Sequence, residues 1–159
     1  MSHTVKTLVT AVVAAASLSM IAAAPASAGE CPAGKTGVNV MAAGPDMPRD
    51  VTDTVISSID LGQGYNIEGR QLRMRRLVIK PGGIVPWHGH ATRPANIYVL
   101  RGAVTEYRST CSVPITHNVG EVVAESGETF HWWRNNSGHT AILLSADILP
   151  PQAPAEQPM

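Results

Sequence analysis

Beyond residue 50 the chain breaks into short apolar runs separated by turn formers. Val51–Leu61 is rich in Val, Ile and Thr and stops at Gly62-Gln63-Gly64. From Leu72 to Lys80, Leu72, Met74 and Arg76 share one face and Arg73 and Arg75 the other. The segment then turns apolar at Leu77-Val78-Ile79 and ends at Pro81-Gly82-Gly83. Further runs follow at 84–90, 97–100, 103–107, 121–124, 130–133 and 141–149, with Gly102, Gly120, Gly127 and Gly138 between them. Strand side chains alternate between two faces, and glycine supplies the positive φ of tight turns. Short strands recurring every 8–12 residues or so predict an all-β sandwich or barrel. No amphipathic helical stretch of a dozen residues interrupts them. The cluster Arg73, Arg75 and Arg76 reads as a solvated strand face or a protected edge.

The two ends follow other patterns. A head containing Lys6 precedes an Ala- and Val-rich run from Leu8 to Ala24, then Pro25 and Ala26-Ser27-Ala28. This three-part pattern predicts a secretory signal over 1–28, cleaved after Ala28, and hence a periplasmic or extracellular protein with no membrane association after cleavage. Its apolar run is short for a bilayer span, and seven of its 17 residues are weakly apolar alanine. Residues 29–50, with Gly34, Gly37, Gly44, Pro45 and Pro48, read as an irregular N-terminal arm, and 51–149 as the barrel. Residues 150–159 carry four prolines and read as a flexible tail.

Composition narrows the function. Twelve Lys and Arg balance twelve Asp and Glu among 159 residues, and only 15% of the chain is charged. Without a basic excess, nucleic acid is excluded as a partner. With one Phe, three Tyr and three Trp, the core must rest on Val, Ile, Leu and Met, which suits β-structure. The sequence holds no phosphate-cradling loop, no dinucleotide fingerprint and no evident Ser-His-Asp or Cys-His nucleophile. Cys31 and Cys111 allow a single pairing, and export to an oxidising compartment predicts that they form a disulfide.

The chemistry concentrates in two histidine-bearing blocks. His88 and His90, two apart on a strand, point to one face, so both imidazoles can reach one point. Five residues separate Gly82 from His88, and Gly102 closes the block. In a second block Gly120 is followed by Ser126-Gly127-Glu128, His131 and Asn135. In order and spacing the two blocks resemble the paired signature of the cupin family, over roughly Leu72–Leu149.

The resemblance implies a cupin-type double-stranded β-helix, a jelly-roll barrel whose inward histidines hold a divalent transition metal. Carried over by position, His88, His90 and His131 are the imidazole ligands, and Fe, Mn, Ni, Cu or Zn suits them. The first block's metal-binding glutamate is missing, because Ala95 occupies its place. The second block has Ser126 and Glu128 in place of a proline and a glycine. Three readings stay open: a three-histidine site, as in the thiol-dioxygenase branch of cupins; a carboxylate from a neighbouring strand, with Glu106 as the candidate; or a barrel that binds metal poorly. The resemblance also implies a homodimer.

Residues around the expected mouth have two readings each. Arg93 could clamp a substrate carboxylate or be a solvated loop residue. Trp133 shares the face of His131 and could line a cavity, whereas Trp87 and Trp132 suit packing or an interface. Tyr98 and Tyr107 suit packing, and His117 and His139 suit the surface. The expected function is an exported metal-binding cupin acting on a small molecule, an oxidoreductase of dioxygenase type, with Arg93 and Glu106 as catalytic candidates. The alternatives are an isomerase, epimerase or lyase on a sugar or hydroxy acid, and a non-catalytic module that binds a small ligand or a metal.

Overall fold

The computed structural model describes residues 29–151. The expected signal over 1–28 and nearly all of the Pro-rich tail lie outside the described residues. Six strands form: β1 Arg49–Asp60, β2 Gln71–Arg101, β3 Ala103–Arg108, β4 Ile115–Asn118, β5 Val122–Arg134 and β6 Ala141–Leu149. A four-residue helical turn, Gly62–Tyr65, joins β1 to β2. Among the described residues no helix is long and apolar enough to cross a membrane.

All strand pairing is antiparallel, and β2 is its hub. Its first part pairs with β1 on one side and β6 on the other, for example Met74 with Ser57 and with Ala146. Its last part returns to the far edge of β6, where Ile97 faces Ser145. Strand β6 is therefore held between two stretches of one long, bent strand. Strand β5 pairs with the middle and end of β2 and with β3, and β4 pairs with β3. This wrapping is the jelly-roll architecture expected from the sequence.

Alternation selects the core. Leu77 and Ile79 of β2, Val85, Ile97 and Val99 further along it, Val104 of β3, Val123 and Trp133 of β5, and Ala141 and Leu143 of β6 pack together inside. Burying such side chains contributes about 1.5–3 kcal/mol each. The buried cluster contains no methionine, and Trp133 is its one aromatic residue.

The same alternation corrects the reading of the arginines. Arg73 and Arg75 share the parity of Leu77 and Ile79 and point inward, with 4% and 3% of their surfaces exposed. They meet Asp147, which stands directly opposite Arg73 on β6. Arg76 stays exposed. An interior strand face can hold a guanidinium when the facing strand supplies its carboxylate.

The N-terminal arm is irregular yet fastened along its length. Cys31 and Cys111 are joined by a disulfide. Thr36 makes an isolated bridge with Cys111, and Gly37, Val40 and Pro45 bond backbone to backbone with Thr110, Ser109 and Trp87.

Candidate metal centre

Three imidazoles converge inside the barrel. His88 of β2 lies directly opposite His131 of β5 in the strand pairing. Register shifts flank His88 and separate Gly89 from His90, and such bulges re-aim side chains. The His90 Nε2 lies 3.0 Å from His131 Nε2, which lies 3.3 Å from His88 Nε2. His90 and His131 are fully buried, and His88 is half-buried. Gly89 between the ligand pair leaves room for the Phe130 ring, which stacks on Trp87: a Cβ there would fall 2.8 Å from that ring.

A carboxylate completes the group, and it is Glu125. Its Oε2 lies 3.1 Å from His90 Nε2 and its Oε1 3.4 Å from His131 Nε2. The four candidate ligand atoms all lie within 4.8 Å of one another. Glu125 sits on β5 directly opposite Ala95. The carboxylate missing from the first block thus enters from the paired strand, at the same rung of the ladder. Sequence reasoning passed over Glu125; the signal was its parity with His131 along β5.

Glu106 does not fill that place. It stands behind His131, with Oε1 2.5 Å from His131 Nδ1 and Oε2 accepting from His117 Nε2 at 3.0 Å. Arg108 donates to both of its oxygens, at 2.9 and 2.8 Å. Burial alone would raise the Glu106 carboxyl; the bonds from His117, His131 and Arg108 outweigh it and hold the group below the usual carboxylate range. His117, expected at the surface, is wholly buried in this chain of bonds. His139 is exposed, as expected.

The hydrogen bonds fix where the protons sit. His88 Nδ1 meets the Pro86 carbonyl at 2.8 Å, His90 Nδ1 meets the Arg93 carbonyl at 2.9 Å, and His131 Nδ1 meets the Glu106 carboxylate. Carbonyls and carboxylates only accept, so each Nδ1 donates and each ring turns its Nε2 toward the shared centre. Burial, reinforced by the neighbouring His131, lowers His88 to about 2 and His90 to about 4, so both rings stay neutral. Three Nε2 atoms thus converge on one point beside the Glu125 carboxylate. Burial pushes Glu125 up to about 7, and its Oε1 has no hydrogen-bond partner.

A divalent cation resolves all of this at once. Two imidazole nitrogens roughly 2.05 Å from a shared ion stand about 2.9–3.3 Å apart, the spacing found here. The ion would also neutralise Glu125 and partner its orphaned oxygen. The donor set of three imidazoles and one carboxylate suits a transition metal.

Beside this centre lies a cavity of about 20 Å³, lined by His88, Glu125, Arg75, Trp133 and aliphatic residues that include Leu77 and Ile97. Trp133 therefore faces inward as expected. Trp132 stacks on Tyr107, with ring centroids 4.0 Å apart. Beyond Arg75 runs a buried charge network. Asp147 accepts from Arg73 at 2.9 and 3.0 Å and from Arg93 at 3.0 Å, and pairs with Arg75 Nε at 3.2 Å. Arg75 also bonds Asp53 and Ser145. Arg93 is thus no solvated loop residue: it lies within β2, its carbonyl orients His90 and its guanidinium is paired. Asn135 of the second block is wholly buried and donates to the Ile79 and His139 carbonyls. It closes the turn between β5 and β6 and takes no part in the centre.

Solved structures share this architecture. The cupin domain of Schizosaccharomyces pombe Cnp3 matches with a TM-score of 0.51 at 7% identity, covering 64% of this chain and 66% of that one. An oxalate oxidase in complex with the substrate analogue glycolate matches with a TM-score of 0.49 at 20% identity, covering 68% of this chain and 59% of that one. The Cupin_2 domain of an XRE family transcriptional regulator from Enterobacter cloacae gives 0.47 at 14%, covering 65% of this chain and all of that domain. The chain thus spans just under two thirds of the Cnp3 structure. The likeness to that domain establishes the cupin fold, and at 7% identity it establishes the fold alone. No protein-family model and no curated protein matches the sequence.

Proposed function

We propose that this protein is an exported metalloprotein that holds a divalent transition metal through His88, His90, His131 and Glu125. It uses that metal on a small anionic molecule, as an oxidoreductase of dioxygenase type. One observation carries the reading: three imidazole Nε2 atoms, 3.0 and 3.3 Å apart along the chain of contacts, converge with a buried carboxylate, all four candidate ligand atoms within 4.8 Å of one another. When bound, the metal would supply Lewis acidity and a template for substrate and dioxygen. The chain's own residues do the rest. Pro86 and Arg93, through their carbonyls, and Glu106, through its carboxylate, hold the three rings in the tautomer that binds. Trp133, Leu77 and Ile97 keep the cavity beside them largely apolar.

Charge supports an anionic substrate. Arg73, Arg75 and Arg93 balance Asp53, Asp147 and Glu125, and Arg108 balances Glu106. A divalent cation would leave this interior two positive charges in excess, which favours an anionic co-ligand. Arg75 stands in the cavity wall where such a ligand would lie. The cavity's 20 Å³, room for a water molecule or two, supports a second reading, a module that holds metal without turning over substrate.

Elemental analysis of protein purified without a histidine tag tests the site. Near-stoichiometric metal in the wild type and little in His88→Ala and His131→Ala is expected; equal content in all three would remove the site. Oxygen uptake in the presence of small carboxylates separates the two readings. A metal-loaded protein with no uptake across such a panel favours the second.

A further inference from the structure

We infer that the amino terminus created by signal cleavage docks inside the protein, against His117, as the last member of the hydrogen-bonded relay behind the metal centre. The inference rests on the export reading above. Cleavage after Ala28 would make Gly29 the first residue. Gly29 lies against the His117 ring: a Cβ built on it would fall 2.9 Å from Nδ1, 3.1 Å from Cε1 and 3.3 Å from Val123 Cγ2. The Gly29 nitrogen, bonded to the same Cα, is therefore no more than roughly 5.5 Å from that ring nitrogen.

The ring nitrogen it approaches needs a donor. His117 is wholly buried, and its Nε2–H donates to Glu106 Oε2 at 3.0 Å, so Nδ1 presents a lone pair. That Nδ1 has no partner. Buried polar atoms in native proteins are rarely left so. An α-ammonium group offers three hydrogens and, freed from its peptide bond, turns about the N–Cα bond to aim one of them.

Two further features fit this docking. Gly29 has no room for a side chain against His117 and Val123. Two residues on, Cys31 is bridged to Cys111, so the terminus is tied down within reach of its acceptor. The completed relay would run from the terminus to His117, to Glu106, to His131 Nδ1. Gly29 and His117 are positioning residues in this scheme: they touch no substrate and act on the centre through Glu106. Replacing a direct partner of a metal-ligating histidine changes metal affinity roughly 10–100-fold. The terminus is two bonds further out, and the expected change there is several-fold.

Intact-mass measurement of the exported, oxidised protein comes first, with a chain beginning at Gly29 expected. Any other amino terminus overturns the inference together with the cleavage site. The Gly29 protein is then compared with its Nα-acetylated form and with a form that retains Ala28, all labelled with ¹⁵N-histidine. In the Gly29 protein the His117 Nδ1 resonance should show an acceptor engaged in a hydrogen bond, and both modified forms should lose that signature. Zn²⁺ affinity by chelator competition should fall several-fold in the two modified forms. A correct amino terminus with an unchanged His117 resonance and unchanged affinity would overturn the docking while leaving the export reading intact.

Discussion

Asp147→Asn removes one negative charge and almost no volume, so it isolates the electrostatics of the interior. The Asp147 side chain is wholly buried, and it serves three guanidinium groups. Asparagine keeps one acceptor oxygen and turns an NH₂ group toward a guanidinium. Breaking a buried pair by removing one partner costs about 3–5 kcal/mol. Arg75 retains Asp53, and the Arg93 side chain, 17% exposed, can turn toward water, which places the expected loss near the lower figure. For a domain of this size that lowers the melting temperature by roughly 10 °C. Denaturant unfolding at pH 7, with the disulfide intact and metal removed by chelator, measures it. The pH course is also fixed. Burial alone would raise the Asp147 carboxyl, but the Arg73 bond and the charges of Arg75, Arg73 and Arg93 hold it below its ordinary 3.8. A lowered folded-state pKa contributes stability that is present above the unfolded value and lost as pH falls through the folded one. The gap between wild type and variant should therefore stay constant from pH 7 to 5 and close only in more acidic solution. A loss under about 1 kcal/mol, or a gap that closes already between pH 7 and 5, would refute the reasoning.

Three other outcomes are expected. Glu125→Ala should weaken Zn²⁺ or Mn²⁺ binding strongly, and adding Ala95→Glu to it should restore much of the affinity, because the two positions face each other across the ladder; isothermal titration reads both. Glu106→Gln removes no metal donor yet should lower metal affinity about 10–100-fold, since it frees the His131 ring to turn; the same titration checks it. Reducing the disulfide should lower unfolding free energy by up to about 4–5 kcal/mol, by chain-entropy arithmetic for the 80-residue separation, which a denaturation curve with and without reductant would show.

Much of the architecture was legible because strand periodicity and glycine punctuation are local signals. The pair His88 and His90 and the distant His131 were legible because their spacing carries a pattern. What stayed hidden depends on which strand faces which. Parity with His131 could place Glu125 on the inner face, but that it stands in for the carboxylate absent at Ala95 shows only in the pairing of β5 with β2, which a linear reading does not hold. Arg73 and Arg75 looked solvated because charge outweighed parity in the reading. Extending the alternation backward from Leu77 and Ile79 turns them inward, and Asp147 on β6 shows why that is tolerable. His117 was misplaced for a similar reason: its acceptor, Glu106, lies on β3, the strand beside it.

Strand β6, clasped on both sides by β2, is the last strand among the described residues. Without residues 141–149 both stretches of β2 lose the neighbour they share, and Arg73 and Arg93 lose Asp147 whereas Arg75 keeps Asp53. A barrel lacking β6 thus retains the pairings of β2 with β1 and β5 but leaves its charged interior open to water.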